Sequence, residues 1–210
     1  KVLFLTRPNN PDGSLPSPET MQTLLNLPLL LVVDEAYVEF TADGGRLGEK
    51  LSLIREVENH QNLVVLRTFS KWAGLAGLRV GYGAFPGWLM PALWKIKQPY
   101  NVNVAGTQAA IASLNDLDWL AENVSNLRRE REVLFKRLKD VQFLEPWPSQ
   151  TNFILCRVLG RPAVELKKTL AQKGVLVRYY TSKGLTDCIR VSVGRPQDTE
   201  RLIKALEELS

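Results

Sequence analysis

Lys71 lies in the run RTFSKWAGLAGLRVGY (Arg67 to Tyr82), directly after an apolar stretch and ahead of a glycine-containing turn, with Arg79 further along the same run. An amine held at the end of a buried strand has little room to extend into water. Desolvation and neighbouring cations then lower its pKa and make it a nucleophile toward carbonyl compounds. Thr68, Ser70 and Arg79 add two hydroxyls and a guanidinium, groups suited to a phosphate beside a helix start. Asp34 ends a second apolar stretch, while Asn10 and Tyr37 stand in the loops that follow such stretches. Taken singly, each has a plainer reading: Asp34 as a helix cap or solvated loop residue, Lys71 as a surface lysine opening a helix.

The elements that must position these groups read as an α/β unit followed by a smaller α+β one. Val2 to Thr6 reads as a short buried strand, followed by the turn-rich RPNNPDGSLPSP and a helix around Glu19 to Leu27. Leu29 to Val33, Asn62 to Leu66 and Val80 to Ala84 are further strands, the first running into Asp34 and the second into Arg67 and Thr68. Their apolarity is continuous rather than alternating, which predicts strands covered on both faces in a largely parallel sheet. In such sheets ligands collect at the carboxyl ends of strands, where Asp34, Lys71 and the Asn10 turn would converge. Helices dominate from Trp88 to about Lys139, including a long charged one from Leu117. After Pro146 and Pro148 the pattern becomes strand Asn152 to Val158, helix Ala163 to Lys173 stopping at Gly174, strands Val175 to Tyr179 and Cys188 to Val193, and a closing helix Asp198 to Leu209. The expected division is 1–117, part of a large domain, and 118–210, a small domain with the connecting long helix at its start.

The 210 residues carry a formal charge of +5, but basic and acidic residues alternate, as in Arg128, Arg129, Glu130, Arg131 and Glu132, and no nucleic-acid motif is present. Arginines reserved for small anionic ligands account for the excess. Cys156 and Cys188 form no CxxC and His60 is the single histidine, which argues against metal chemistry and a disulfide framework. The longest apolar run, Leu27 to Val33, is strand-sized and contains a proline, so no membrane span is expected. The chain opens on Lys1 in mid-pattern, from which an upstream portion is expected.

Pyridoxal phosphate asks four things of a protein: an amine for a Schiff base, a carboxylate for the pyridine nitrogen, donors to the ring hydroxyl and a phosphate cradle. Lys71, Asp34, the pair Asn10 and Tyr37, and the set Thr68, Ser70 and Arg79 are candidates for these in turn.

Four motifs occur in order: PNNPDG (Pro8 to Gly13), DEAY (Asp34 to Tyr37), SK with GLAGLRVGY (Ser70 to Tyr82) and RVSVG (Arg190 to Gly194). On these the chain resembles the fold-type I pyridoxal-phosphate-dependent aminotransferases, and within them the plant-type histidinol-phosphate aminotransferase branch. The resemblance implies an α/β transferase fold with a small α+β C-terminal domain, Lys71 as cofactor anchor and later general acid/base, and Asp34 at the pyridinium. It implies Asn10 and Tyr37 at the ring oxygen, and Ser70, Arg79 and Thr68 at the phosphate. Arg190 would take the α-carboxylate of glutamate or the phosphate of histidinol phosphate, Arg178 would be a second anion contact, and Asn152 would either approach the substrate or form a structural turn. It further implies transamination between histidinol phosphate and 2-oxoglutarate, giving imidazole acetol phosphate and glutamate and running in reverse in histidine biosynthesis. A homodimer and a plastid stroma follow from the same resemblance, with a bacterial cytoplasm as the alternative location. The family pattern includes an N-terminal portion not in this chain, which is expected to be the C-terminal part of a longer enzyme; Arg7 departs from the small residue usual before PNNP. A threonine-phosphate decarboxylase, an aromatic aminotransferase and a non-catalytic aminotransferase-like domain would keep many of the same residues. Trp72, Trp88 and Trp94 read as packing or interface residues, Cys156 as core, Tyr179 and Tyr180 as structural, and Gly74 and Gly77 as serving a tight turn and a close helix approach.

Overall fold

Leucine and β-branched residues fill both faces of β2 (Leu30–Asp34) and β3 (Leu63–Thr68), whereas β1 (Val2–Thr6), expected to be buried, leaves Val2 and Phe4 exposed on one face at the edge of the sheet. In the computed structural model, which describes residues 1–209, these strands run parallel in the order β1-β2-β3, with Thr6 beside Asp34 and Asp34 beside Leu66. Their carboxyl ends therefore lie in one row. Leu31, Val33, Leu63 and Val65 pack under Met21 and Leu25 of α1 (Pro18–Leu25) and Val57 of a 3-10 turn at Ile54–Glu58. Val32 and Val64, on the other face, are also buried. The Ser17 hydroxyl accepts the Thr20 N–H to start α1, with Pro18 in the first turn. The fourth strand, β4 (Gly81–Ala84), is antiparallel to β3, placing Thr68 opposite Gly81. The 69–80 connection holds only a three-residue 3-10 turn at Ala76–Leu78 and no helix able to cross a face of the sheet, so the chain returns as an antiparallel neighbour.

The chain divides into two compact units, Lys1–Asn9 with Leu15–Val124 and Asn10–Ser14 with Ser125–Ser210. Helices α2 (Met90–Ile96) and α3 (Val104–Asn115) belong to the first; α4 (Leu117–Lys139) begins in the first and ends in the second. The 10–14 loop, remote in sequence, groups with the second unit. There Gln150 donates its N–H to the Gly13 carbonyl at 2.8 Å, and a Cβ on Gly13 would lie 2.1 Å from Ser149 Oγ. Glycine at φ +74° serves both the turn and this close approach.

The second unit contains an antiparallel sheet of order β5-β6-β8-β7, made of β5 (Leu144–Pro146), β6 (Phe153–Val158), β7 (Arg178–Tyr179) and β8 (Cys188–Ser192). Ile154, Cys156, Ile189 and Val191 pack with Leu134 and Leu138 of α4, Leu166 and Leu170 of α5 (Ala163–Gln172), and Leu202, Ile203 and Leu206 of α6 (Pro196–Glu207). The short strand β5 was not anticipated. The strand expected at 175–179 shrinks to Arg178–Tyr179, because Gly174 at φ +75° ends α5 and the Val175 N–H returns to the Leu170 carbonyl at 2.9 Å. That amide completes a Schellman-type helix end and is unavailable to a ladder. Arg131, 2% exposed, donates to the Thr151 carbonyl at 2.9 Å and fixes the approach to β6.

Leu170→Ala removes a fully buried side chain and is expected to cost about 2–5 kcal/mol in urea unfolding. Leu176→Ala, at a position 84% exposed, should stay within about 0.5 kcal/mol of the parent. Burial pushes the Cys156 thiol up to about 12 and raises that of Cys188 as well. Both thiols should resist a disulfide exchange reagent at pH 8 in the native chain and react once urea unfolds it.

Candidate active site

The row of strand ends in the first unit is anchored by charges that lie inside it. Arg7, just after β1, donates to the Leu51 carbonyl at 2.5 Å and lies 3.9 Å from Glu35, just after β2. Glu35, with no exposed surface, accepts from Ser52 Oγ at 2.5 Å and the Leu53 N–H at 2.7 Å. Arg67, on β3, donates to Ser52 Oγ at 3.3 Å and to Glu39 Oε1 at 2.6 Å. Burial pushes Glu39 up to about 7 even though Arg67 acts to lower it. It likewise raises Glu35, against the pull of Ser52, the Leu53 amide and both arginines. Neither acid could remain buried without these cations and donors.

Above this layer stand the candidate groups. Asp34 is half-buried; its Oδ1 accepts the Ala36 N–H at 3.0 Å, and Oδ2 has no hydrogen-bond partner among the described residues. It is a turn-forming carboxylate at a strand end rather than a helix cap. Tyr37 is buried, and Lys71 Nζ lies 5.7 Å from the centre of its ring, within the range of a cation–π contact. Lys71 itself is exposed, which corrects the expectation of a lysine denied access to water. It follows β3 on an outward turn, so no strand neighbour encloses it.

That turn also corrects the expected helix start. Residues 69–75 form bends and turns, and the only helical piece before β4 is a 3-10 turn at Ala76–Leu78. The Thr68 hydroxyl accepts the Ser70 N–H at 3.0 Å and lies 3.2 Å from the Val80 carbonyl, so it shapes the turn. Trp72, buried, donates its indole N–H to the Thr68 carbonyl at 2.8 Å, a packing role. Gly74 adopts φ +70°, as a tight turn requires, but a Cβ on Gly77 would meet nothing within 4 Å, so no close approach explains Gly77. Arg79 is the one non-glycine residue at positive φ (59°) among those described, with Nη1 donating to the Ala76 carbonyl at 2.9 Å.

The second unit carries the remaining candidates. Arg190 Nη1 donates to Asn10 Oδ1 at 2.7 Å, its guanidinium lies 4.4 Å from the Phe153 ring centre, and its buried Nε has no partner. The β7–β8 register sets Arg178 directly opposite Arg190, on one face of the sheet. Two like charges so placed repel unless an anion lies between or beside them. Asn152 is half-buried and uses its backbone carbonyl to accept the Val193 N–H at 2.9 Å.

Within the first unit the structure thus brings Lys71 and Tyr37 together at the strand ends, and within the second it joins Asn10, Arg190 and Arg178. Sequence reasoning missed Glu35, Glu39, Arg67 and the buried role of Arg7. Arg7, Glu35 and Arg67 stand where apolar runs end, which hinted at a buried partner for each, whereas Glu39 in its loop gave no such hint.

Residues 1–206 match the family described as aminotransferase class I and II. The chain is 52% identical over 208 residues to a chloroplastic histidinol-phosphate aminotransferase of Nicotiana tabacum, covering 99% of this chain and 49% of that protein. It thus spans about half the length of the relatives it matches. Among solved structures, the histidinol-phosphate aminotransferase of Clostridium acetobutylicum superposes with a TM-score of 0.90 at 25% identity, covering 99% of this chain and 63% of that one. The Sinorhizobium meliloti histidinol-phosphate aminotransferase, solved with pyridoxal-5'-phosphate, gives 0.84 at 30% identity, covering 100% and 58%. With its parallel strand ends, its DEAY and SK segments and a family match over nearly its whole length, the chain belongs to the class I and II aminotransferases.

Proposed function

We propose that the chain is part of a pyridoxal-phosphate-dependent histidinol-phosphate aminotransferase, exchanging an amino group between histidinol phosphate and 2-oxoglutarate in histidine biosynthesis. The observation that carries the reading is the juxtaposition of Lys71 with Tyr37 beside Asp34 at the strand ends, in a chain half identical to a plant enzyme of that name. The donor set fits the cofactor. Lys71 makes no ion pair among the described residues, Asp34 keeps one oxygen without a partner, and Arg190 has a buried guanidinium nitrogen without one.

Bound there, pyridoxal phosphate supplies an electron sink that acidifies the substrate Cα–H. Lys71 provides the amine that holds the cofactor's aldehyde, and its Nζ takes and returns the Cα proton as general base and acid. Asp34 offers its carboxylate to the ring nitrogen, and the Tyr37 hydroxyl and Asn10 amide donate to the ring oxygen. Arg79 and Ser70, with Thr68 shaping their turn, face the phosphate. Arg190 and Arg178 take the anionic group of either substrate in forked, charge-assisted hydrogen bonds, with Asn152 beside them. In this reading the first unit is part of the cofactor-binding domain and the second is the small domain. Trp94 (65% exposed), Tyr100 (96%) and Val104 (79%) leave apolar surface on and between α2 and α3, which supports a homodimer covering that face. The plastid location rests on the chloroplastic relatives.

In the purified chain, borohydride reduction with pyridoxal phosphate should fix the cofactor mass on Lys71, and Lys71→Ala should abolish it; labelling of another lysine would refute the anchor. Arg190→Ala should weaken both glutamate and histidinol phosphate by about 1.5–3 kcal/mol in binding; unchanged affinity for both would refute dual recognition. Release of carbon dioxide from threonine phosphate, without glutamate-dependent transfer, would point to the lyase instead.

A further inference from the structure

We propose that Glu39 and Arg67 are positioning residues for Lys71: their buried ion pair ties the 34–40 loop, which carries Asp34 and Tyr37, to the end of β3, from which the Lys71 turn springs. The proposal rests on the reading of Lys71 as the cofactor amine.

The Glu35 N–H already joins these segments at the Leu66 carbonyl, 2.9 Å away, and the Glu39–Arg67 pair adds a side-chain link further along each. Glu39 lies in a 3-10 turn (Val38–Phe40) immediately after Tyr37, is 1% exposed, and meets Arg67 Nη2 at 2.6 Å. Arg67 directly precedes Thr68, whose hydroxyl accepts the Ser70 N–H and whose carbonyl accepts the Trp72 indole N–H. A displacement of Arg67 is therefore passed to both neighbours of Lys71. A displacement of Glu39 shifts the Tyr37 ring, 5.7 Å from Lys71 Nζ. Neither Glu39 nor Arg67 touches a substrate or cofactor in the proposed function, so both act through Tyr37 and Lys71.

The charged and titratable groups facing Glu39 are Arg67 on β3, Glu35 after β2 and Tyr82 on β4, with Arg7 after β1 next to Glu35. In the closed loop burial holds Glu39 at about 7; opened to water it returns to the ordinary carboxylate range. The closed loop binds that proton more tightly, so closure is favoured at low pH and opening becomes easier as pH rises through this window. The slope is limited to about tenfold per pH unit.

Two measurements test the proposal on the purified chain. The first is hydrogen exchange at the Val38, Phe40 and Thr41 amides, which donate to Glu35, Tyr37 and Val38 carbonyls. In the parent, protection relative to intrinsic rates should fall from about pH 5 to about pH 7 and then level out. Glu39→Gln should keep only the shallower slope left by Glu35, which burial also raises, and Arg67→Met should move the window upward because the acid loses its cation. The second is the rate at which pyridoxal phosphate and borohydride label Lys71. Glu39→Ala and Arg67→Met should slow it at least tenfold, with Arg67→Lys restoring part of it, while Glu39→Gln, which keeps the uncharged hydrogen-bonding form that the closed loop favours, should stay near the parent. A pH slope in Glu39→Gln as steep as the parent's overturns the proposal. So does parental labelling in both Glu39→Ala and Arg67→Met, which would leave the pair a purely structural one. If the parent chain is labelled elsewhere than Lys71, the anchor reading fails first, visibly and before any variant is compared.

Discussion

Buried Arg7, Glu35 and Glu39, with the largely covered Arg67, at the ends of β1, β2 and β3 are the constraint on which the candidate site depends. Parallel strands deliver their loops to one edge, but backbone ladders stop at the last paired residue and say nothing about how those loops then run. Arg7, Glu35, Glu39 and Arg67 supply that information, each held by a cation, an anion or a backbone group from a different segment. Removing one partner would strand a charge in a region with almost no solvent contact, at a cost of several kcal/mol. The network thus specifies a single arrangement of the loops that carry Asp34, Tyr37 and Lys71.

The second unit solves a similar problem with fewer charges. Its sheet is antiparallel, so like-facing residues of β7 and β8 stand directly opposite, which sets Arg178 against Arg190. Asn10 accepts from Arg190, and Gly13 lets its loop lie against Ser149. Arg131 braces the neighbouring Thr151 from α4. A loop ten residues into the chain is thereby held by residues from its last third, in a unit where arginine donors remain available to an anion.

The strands, the long helix and the order of elements were legible because continuous apolar runs, and a single amphipathic helix with an acidic start and basic end, leave few alternatives. Asp34 and Lys71 were legible for the same reason, standing where apolar runs stop. The exposure of Lys71 was not, because whether a residue beyond a strand is covered depends on segments distant in sequence. Nor was the loss of residues 175–177 from β7, which turned on which carbonyl the Val175 amide would choose. The buried acids were missed for a related reason: Glu35 and Glu39 look like ordinary loop carboxylates until the arginines that neutralise them are seen in space. In PNNPDG the motif was readable, whereas its attachment to Arg190 and Gln150 was not.

An exposed lysine on a turn would ordinarily be a poor foundation for chemistry, but this turn is closed by its own backbone. Phe69 donates to the Val80 carbonyl, Leu75 to Phe69 and Gly74 to Lys71, so residues 69–80 are tied at both ends. The Phe69 ring packs against Trp72 and Tyr82 beneath it, at centroid distances of 5.5 and 5.8 Å. Within this frame Arg79 is held left-handed, a conformation that costs a residue with a Cβ about 1–2 kcal/mol. The frame must supply that energy. In the proposed function the strained residue of this turn is also the one that faces the cofactor phosphate. The Lys71 side chain is thus free to reach into solvent while its backbone is not free to move, and that combination suits an amine that must meet a carbonyl group and then carry a proton.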